Sequence, residues 1–316
     1  MRVAVLDDYQ GIAGDRSDWD IIKDKTEIIV FDNHLFDENE VAERLKSFDV
    51  ICAMRERTPF PRSQLEKLPN LKLLVTSGMR NRGIDVAAAN ELGVTVCGTR
   101  SVGRPTADLA WGLILGLARQ IPMEDRRVRA GGWQKTIGVG LEGKILGIAG
   151  LGNLGARMVP IAKAFGMKVI AWSQNLSEEK CSKEGVELVS KRDLLRKSDF
   201  ISIHLILSER TLGLFGSSEL AEMKSTAYII NTSRGPIIDE GALIAALQNN
   251  VIAGAGIDVF DTEPLPADHP FRSLENLIVT PHLGYVEASN YEAYFEGYAA
   301  AIRSFIDGSP VNIIKD

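Results

Sequence analysis

The chain has 316 residues, of which 45% are hydrophobic and 25% are charged, and its formal net charge at pH 7 is −6. This balance is typical of a globular protein of about two domains and excludes a disordered or fibrous chain. The acidic balance, without a long basic run, argues against nucleic acid as a partner, because nucleic acids are bound by concentrated Lys/Arg surfaces.

Short apolar runs of strand type alternate with helical stretches along nearly the whole chain. The first set of predicted strands is Val3–Leu6, Ile28–Phe31, Val50–Ala53, Leu71–Thr76 and Val94–Val96. The second set is Ile145–Ala149, Val169–Trp172, Phe200–Leu205, Tyr228–Asn231, Gly256–Val259 and Leu277–Thr280. Helical periodicity is found between them, for example at Val41–Phe48, Val86–Leu92 and Ala242–Gln248. Continuously apolar strands alternating with helices predict an α/β fold with doubly wound parallel sheets.

A long helical stretch over residues 106–130 separates the two strand sets, and the strand–helix repetition restarts at Lys144. We therefore predict two Rossmann-like domains with a cleft between them. The first is discontinuous and comprises residues 1–101 and 284–316, and the second comprises residues 102–283. The tail, residues 287–306, is again helical and is expected to pack against the first domain.

The cysteines, the N-terminal sequence and the apolar runs indicate the cellular compartment of the protein. The three cysteines, Cys52, Cys97 and Cys181, are widely spaced, which predicts reduced thiols and no metal site. The N-terminus lacks a signal-peptide pattern, and the longest apolar run, Leu109–Ala118, has ten residues, half of the ~20 that span a bilayer. We expect a cytoplasmic protein with no membrane contact.

The segment Gly150–Gly155 has the pattern G-x-G-x-x-G between a predicted strand and a predicted helix. In this context Gly150 makes the tight turn, Gly152 lets the backbone approach a pyrophosphate, and Gly155 lets the helix and strand pack closely. A purely structural turn is the alternative, but the flanking strand and helix favour a dinucleotide site. Pro160 predicts a kink or an early end of the following helix.

The strand after this loop ends in Ser173, Gln174 and Asn175. An NAD-selective site usually has an acid here, about 20 residues beyond the loop, to bind the ribose hydroxyls. These side chains can instead donate to a 2′-phosphate, although no arginine adjoins them in sequence. The cofactor is therefore predicted to be NAD or NADP, with a slight preference for NADP.

A hydride-transfer site needs a group that binds the substrate, a group that polarises its carbonyl and a proton donor. The chain offers four histidines as donors. His34 lies in a polar turn and is expected to be exposed, and His269 lies in a proline-rich loop. His204 ends a strand, where packing is the simpler role. His282 also follows a strand end, where open α/β sheets bind ligands.

Three further segments, Asn231–Gly235, Asp258–Pro264 and Pro281–Gly284, follow the phosphate loop in the order and spacing of a known family. In these motifs the chain resembles the D-isomer-specific 2-hydroxyacid dehydrogenases, and the resemblance covers essentially the whole chain. Each motif alone is modest support, whereas four in order are strong.

The resemblance implies the catalytic residues Arg234, Glu263 and His282. Arg234 would bind the substrate carboxylate and keto oxygen through a rigid donor fork that lysine lacks. His282 would be the general acid in reduction, and Glu263 would bind its other ring nitrogen and favour the imidazolium. Taken singly, Arg234 and Glu263 could form a surface ion pair and Asp258 could be a cap. Their combination with His282 and the phosphate loop favours an active site.

The segment Thr76–Met79 resembles the family loop whose backbone N–H groups bind the substrate carboxylate. Arg55 follows another strand end and is a further candidate, with a solvated arginine as the alternative. The predicted substrate-binding residues are Arg55, Ser77, Gly78 and Met79. Four other arginines are unranked candidates for the rim of the cleft: Arg80, Arg82, Arg100 and Arg104.

The resemblance also implies that Asp258 lies near the nicotinamide carboxamide and Thr232 along the cofactor. The predicted cofactor-binding residues are Thr106, Gly150, Gly152, Asn153, Leu154, Gly155, Ser173, Gln174, Asn175, Leu205, Thr232, Asp258 and Gly284. Residues 204–207 lack the proline of the family pattern His-x-Pro-Leu, which leaves the loop shape near the adenosine open. Formate dehydrogenases are disfavoured, because the Gln and Ser pattern that accompanies their histidine is missing.

The resemblance implies an NAD(P)-dependent homodimer, joined near the helical stretch between the domains, that reduces a small 2-keto acid such as glyoxylate, hydroxypyruvate or pyruvate. Two alternatives stay open. A dinucleotide-sensing, corepressor-like regulator keeps the same three catalytic residues without significant turnover. A dehydrogenase could also act on a substrate other than a 2-oxo acid.

Overall fold

The structure, a computed structural model, describes residues 1–102 and 105–315. The chain divides into two structural units, one of Met1–Gly103 with Glu287–Asp316 and the other of Arg104–Val286. The predicted boundaries at 101 and 283 lie two and three residues from these. Arg104, one of the rim candidates, lies outside the described residues.

The described residues form parallel strands with helices between them. The strands are β1 Arg2–Val5, β2 Glu27–Val30, β3 Val50–Ala53, β4 Leu73–Thr76, β5 Thr95–Gly98, β6 Ile145–Ala149, β7 Lys168–Trp172, β8 Glu187–Leu188, β9 Phe200–Ile203, β10 Tyr228–Asn231, β11 Gly254–Ile257 and β12 Leu277–Val279. The α-helices are α1 Glu38–Leu45, α2 Arg62–Leu65, α3 Val86–Glu91, α4 Pro105–Arg119, α5 Ile121–Arg129, α6 Asn153–Ala164, α7 Glu178–Glu184, α8 Lys191–Lys197, α9 Ser217–Glu222, α10 Glu240–Gln248 and α11 Ala288–Ile306. Short 3-10 helices occur at Ser17–Ile21, Gly235–Ile237 and Pro270–Arg272.

The first unit is built on a five-stranded parallel sheet of order β2-β1-β3-β4-β5. The register pairs Ala53 with Thr76 and Thr76 with Gly98, so the loops after β3, β4 and β5 leave the sheet at one level. Helix α11 packs against β4 and β5 and buries Tyr294 and Tyr298. The C-terminal helix therefore belongs to the first unit.

The second unit is built on a seven-stranded parallel sheet of order β12-β11-β10-β9-β6-β7-β8. Both faces of this sheet are buried, which explains its continuously apolar strands. Along β10, Ile229 packs into one core, and Tyr228 and Ile230 pack into the other. The strand order reverses between β6 and β9, and open α/β sheets bind ligands at such a point. The predicted fold class, two Rossmann-like α/β units with parallel sheets, is confirmed.

Several predicted strand bounds differ from the structure by one or two residues, as for β11, predicted at Gly256–Val259 and observed at Gly254–Ile257. Two helical predictions differ in kind. The helical stretch over residues 106–130 is interrupted at Gln120, whose φ of +56° is left-handed, so that α4 and α5 are separate helices. Of the kink or early helix end predicted at Pro160, the early end is wrong, because α6 continues to Ala164. The buried side chains of Met158, Val159 and Ala162 anchor α6 in the core, and such packing outweighs the loss of one helical hydrogen bond.

The three cysteines are free and buried, and burial raises the pKa of each thiol. Within the described residues, no group of three or more His, Cys, Asp or Glu side chains is arranged to hold a metal ion. The helices of the same residues lack the combination of length and apolar composition needed to cross a membrane.

Candidate active site

The loop after β6 has the geometry of a dinucleotide cradle. Gly150 has a φ of +101°, and a Cβ at this position would lie 2.6 Å from the His204 carbonyl oxygen, so only glycine fits. Gly155 packs against the carbonyl of Gly150, which brings α6 close to β6. Helix α6 begins at Asn153, and its N-cap residue, Gly152, provides no side-chain cap. The positive end of the helix dipole at a helix start favours an anion such as a pyrophosphate.

Thr232, predicted to lie along the cofactor, directly follows β10 and is buried. Its hydroxyl oxygen has no hydrogen-bond partner among the residues that the structure describes. A buried hydroxyl without a partner is costly unless a ligand satisfies it. Together with the glycine cradle, this orphaned oxygen shows that the residues present fit a dinucleotide.

The turn after β7 carries the residues predicted to select the cofactor. Ser173 is half-buried, and Gln174 and Asn175 are exposed. The amide nitrogen of Gln174 donates to the main-chain carbonyl of Arg210 at 3.4 Å. Arg210, which is 36 residues away from Gln174, carries no sequence motif that predicts this contact. The signal that could have found it is that β7 and β9 both flank β6, so the loops after them are neighbours.

His204 directly follows β9, and its carbonyl lies against the phosphate loop. Its Nε2 lies 2.9 Å from the hydroxyl of Ser202, and burial lowers the pKa of the imidazole to about 4, so it is neutral at pH 7. The neighbouring Leu205 side chain reaches to within 3.0 Å of the Cβ position at Gly150. The hydroxyl of Thr211 donates to the carbonyl of Ile206 at 2.8 Å. Ile206 stands where the family pattern His-x-Pro-Leu has its proline, and this bond closes the loop between Ile206 and Thr211.

Two of the other histidines are committed to structural contacts. The His34 side chain is only 7% exposed, and its Nδ1 lies 3.0 Å from Oδ1 of the buried Asp7, so this side chain is not exposed although its neighbours Asp32 and Asn33 are. His269 uses both ring nitrogens, since Nε2 lies 2.9 Å from Glu240 Oε1 and Nδ1 accepts from the amide of Phe271. The polar sequence around His34 gave no sign of the buried carboxylate, because Asp7 is 27 residues away.

His282 follows β12 and has the arrangement of a general acid–base. Its Nδ1 lies 2.6 Å from Glu263 Oε2, and its side chain is 24% exposed. Glu263 is fixed in turn, because its Oε1 accepts from the amide of Phe260 at 2.9 Å. Nε2 of His282 makes no hydrogen bond to any residue within the described ranges. The carboxylate therefore orients the imidazole and leaves one ring nitrogen for a ligand.

The loop that carries His282 is held by the buried carboxyl group of Asp258. One carboxyl oxygen accepts from the Thr280 hydroxyl at 2.6 Å and the Leu283 amide at 2.7 Å, and the other accepts from the Gly284 amide at 2.9 Å. Burial raises the pKa of this carboxyl, and these hydrogen bonds oppose that shift. The Gly284 carbonyl accepts from the Thr106 hydroxyl at 2.7 Å. Asp258, Gly284 and Thr106, all predicted cofactor-binding residues, thus form one network.

Arg234 lies in the turn after β10. Its Nη1 donates to the carbonyl of Ser233 at 2.7 Å, and its own carbonyl accepts from the Asn231 side chain at 2.8 Å. A side chain at Gly235 would overlap the main chain of Phe260, so this glycine lets the Arg234 turn approach the segment that fixes Glu263. The three predicted catalytic residues thus follow the neighbouring strands β10, β11 and β12 at the carboxyl edge of the sheet.

In the first unit the structure brings the predicted substrate-binding residues together. The Arg55 amide donates to the Ser77 hydroxyl at 2.8 Å, and Arg55 Nη1 donates to the Ser77 carbonyl at 3.2 Å. The amides of Ser77 and Gly78 already donate to Ala53 O and Thr99 Oγ1, both at 3.0 Å. Two N–H groups of the segment Thr76–Met79 therefore already donate to acceptors within the protein.

The remaining residues of this region lie at the surface. Met79 is exposed, as are Arg80 and Arg82. Arg100 forms an exposed ion pair with Glu296 at 2.9 Å. Exposed pairs of this kind contribute little free energy, so Arg100 has the properties of a solvated surface residue.

Comparison with known proteins agrees with this geometry. Residues 111–284 match the family model described as the NAD binding domain of D-isomer specific 2-hydroxyacid dehydrogenases. The chain is 42% identical to a glyoxylate reductase from Aeropyrum pernix, covering 69% of this chain and 68% of the relative. It is 32% identical to a hydroxypyruvate reductase from Blautia hydrogenotrophica over the full length of both chains.

Among solved structures, a phosphoglycerate oxidoreductase from Vibrio cholerae superposes with a TM-score of 0.93 at 35% identity, covering 98% of this chain and 100% of the other. This likeness extends through both units, and the family match spans the phosphate loop and the segments that carry Arg234, Glu263 and His282. The resemblance deduced from the four motifs is confirmed, and the chain belongs to the D-isomer-specific 2-hydroxyacid dehydrogenase family.

Proposed function

We propose that this protein is an NADP-preferring D-2-hydroxyacid dehydrogenase that reduces a small 2-oxo acid such as glyoxylate, hydroxypyruvate or pyruvate. The observation that carries the proposal is the imidazole of His282, held by Glu263 at 2.6 Å through Nδ1 while Nε2 is left for a substrate oxygen. The names of the relatives, glyoxylate reductase and hydroxypyruvate reductase, support small 2-oxo acids as the substrate class.

Residues 102–283 would form the dinucleotide-binding domain, and residues 1–101 with 284–316 the substrate domain. The family match over residues 111–284 supports this division. The backbone of Gly150–Gly155 would hold the pyrophosphate, and Thr232 Oγ1 would donate to the cofactor. When bound, the nicotinamide supplies the hydride.

The catalytic residues act on the substrate. Arg234 would bind the carboxylate and the keto oxygen, because a guanidinium offers several donors in one plane. Nε2 of His282 would donate a proton to the carbonyl oxygen during reduction and accept it during oxidation. Glu263 would orient the ring and stabilise its positive charge before that transfer. Arg55 would bind the carboxylate from the substrate domain, beside the loop that carries Ser77, Gly78 and Met79.

The cofactor preference rests on the turn after β7. Ser173, Gln174 and Asn175 bring no carboxylate against a 2′-phosphate, and the Arg210 loop lies beside Gln174. A cation near this turn would favour the phosphate, as arginine does in NADP-selective sites.

We expect turnover of at least one 2-oxo acid when the nicotinamide absorbance is followed across a panel of 2-oxo acids and carbonyl compounds without a carboxylate. KM should be lower for NADPH than for NADH. Tight cofactor binding without turnover of any compound would favour a dinucleotide-sensing regulator. Preferred turnover of a carboxylate-free compound would favour a different dehydrogenase, and a lower KM for NADH would contradict only the NADP preference.

We also propose that the protein is a homodimer whose subunits contact each other through α5 and the segment after it. Large apolar side chains are exposed here, with Trp133 at 75% and Ile137 at 96%, beside Ile121 and Val128. Clustered exposed apolar side chains mark protein interaction sites, and most homo-oligomers are twofold dimers.

Sedimentation analysis should therefore give the mass of a dimer, and Trp133→Glu with Ile137→Glu should shift it toward a monomer. Leu212→Glu is the matched control, since Leu212 is 64% exposed elsewhere in the same unit, and it should leave the dimer intact. A wild-type monomer would rule out this assembly.

A further inference from the structure

The backbone of Arg55 has an unusual conformation. Arg55 lies two residues beyond the end of β3, and its φ of +53° is left-handed. Residues other than glycine are disfavoured in the left-handed region, because their Cβ crowds the main chain. Arg55 therefore keeps this conformation only where its surroundings fix it. Such residues cluster at binding and catalytic sites.

Two side chains from the loop after β4 fix this conformation. The hydroxyl of Ser77 accepts from the Arg55 amide at 2.8 Å, and the Asn81 Nδ2 donates to the Arg55 carbonyl at 2.5 Å. Both main-chain polar groups of one residue are thus bound by side chains. Asn81 is itself fixed, because Nδ2 also donates to Thr76 Oγ1 at 2.9 Å and Oδ1 accepts from the Gly83 amide at 2.8 Å.

The two hydrogen bonds with Ser77 and Asn81, here called the Arg55 clamp, direct the guanidinium toward the segment Thr76–Met79, which resembles the family's carboxylate-binding loop. Nη1 of Arg55 donates to the Ser77 carbonyl at 3.2 Å and lies against Gly78, where a side chain would collide with it. The Arg55 side chain is 23% exposed. The amides of Ser77 and Gly78 already donate to acceptors within the unit, whereas the Arg55 guanidinium, whose Nε lies 3.7 Å from Glu56 Oε2, places a positive charge beside Gly78.

We propose that Asn81 is a positioning residue for substrate binding: together with Ser77 it holds Arg55 in the left-handed conformation that places its guanidinium beside Gly78, where it binds the carboxylate of the 2-oxo acid. This proposal rests on the proposed function, which supplies the carboxylate. Neither the motifs nor the family resemblance assigned Asn81 a role. Its contact with Arg55 joins residues that lie 26 positions apart.

The test is steady-state kinetics of Asn81→Ala with the best 2-oxo acid of the panel at saturating NADPH. KM for the acid should rise about tenfold, the effect of about one lost hydrogen bond to a binding group, while kcat stays within about twofold. KM for NADPH should be unchanged. Arg55→Ala should raise KM for the acid at least as much, and adding Asn81→Ala to it should raise KM no further, because Asn81 acts through Arg55.

Asn70→Ala is the matched control, because the Asn70 side chain also donates to a main-chain carbonyl of this unit, that of Lys46 at 2.9 Å. This control should leave KM for the acid unchanged. Ser77→Ala removes the other half of the clamp and should raise KM in the same way, which keeps the test open if Asn81→Ala does not fold. Unchanged KM in Asn81→Ala or in Arg55→Ala, or additive effects in the double variant, would overturn the proposal.

Calorimetric titration of the protein–NADPH complex with oxamate, a non-reducible carboxylate of the same shape, separates this proposal from the proposed function. If the wild-type protein reduces no 2-oxo acid, the function fails, yet weaker oxamate binding in Asn81→Ala would still support the clamp. If the wild-type protein is active and oxamate binding is equal in wild type and Asn81→Ala, the clamp fails and the function stands.

Discussion

Replacing His282 by alanine is expected to abolish turnover, lowering kcat for the 2-oxo acid by about 10³-fold or more, in the range of general acid–base catalysis. The substitution removes Nε2, the proton donor, and leaves Glu263 without its partner. Cofactor binding should stay near wild type, because the loop is held by the Asp258 carboxylate and main chain rather than by the imidazole. Single-turnover kinetics and a fluorescence titration with NADPH measure the two quantities separately.

The second histidine–carboxylate pair of this unit provides the control. His269→Ala breaks the contact with Glu240, but both nitrogens of His269 are committed to structural contacts, so turnover should persist in the folded variant. Loss of NADPH binding in His282→Ala would instead assign His282 a structural role. Substantial residual turnover in that variant would remove it from the proton-transfer step.

The predictable part of the fold came from short-range patterns. Strands β3, β6 and β10 were predicted at their observed ends, since burial on both faces leaves short, mostly apolar runs in the sequence. The G-x-G-x-x-G loop was recognisable because its glycines meet local requirements, such as the φ of +101° at Gly150. Family motifs likewise marked His282 and Glu263, which the structure places in direct contact.

The features that the sequence did not predict are either too short to form a pattern or depend on contacts between residues far apart in the sequence. Strand β8 has only two residues, Glu187 and Leu188, and is too short to produce a periodic pattern. The burial of His34 depends on Asp7, and the left-handed conformation of Arg55 depends on Asn81, neither of which is a sequence neighbour. A single sequence does not record which polar side chains meet after folding, so these hydrogen bonds required the structure.

Replacing Arg234 by lysine is expected to lower kcat/KM for the 2-oxo acid by about 10²-fold or more, although the charge is conserved. The guanidinium donates through Nη1 to the Ser233 carbonyl at 2.7 Å, and its planar fork carries further donors at fixed angles. A single ammonium cannot satisfy that carbonyl and also bind the substrate carboxylate and keto oxygen in one plane. The contact between the guanidinium and the keto oxygen strengthens as that oxygen gains negative charge during reduction. Its loss should therefore lower kcat as well as kcat/KM.

Arg272→Lys is the matched control for this effect. Arg272 also binds main-chain carbonyls of its own unit, those of Pro266 and Leu265, both at 2.7 Å, and it is exposed. Its conservative replacement should change kcat/KM by less than about twofold, since exposed polar contacts contribute little free energy. Equal thermal denaturation midpoints for wild type and Arg234→Lys would show that the loss of activity is not a loss of folding. Wild-type kinetics in Arg234→Lys would mean that Arg234 does not touch the substrate.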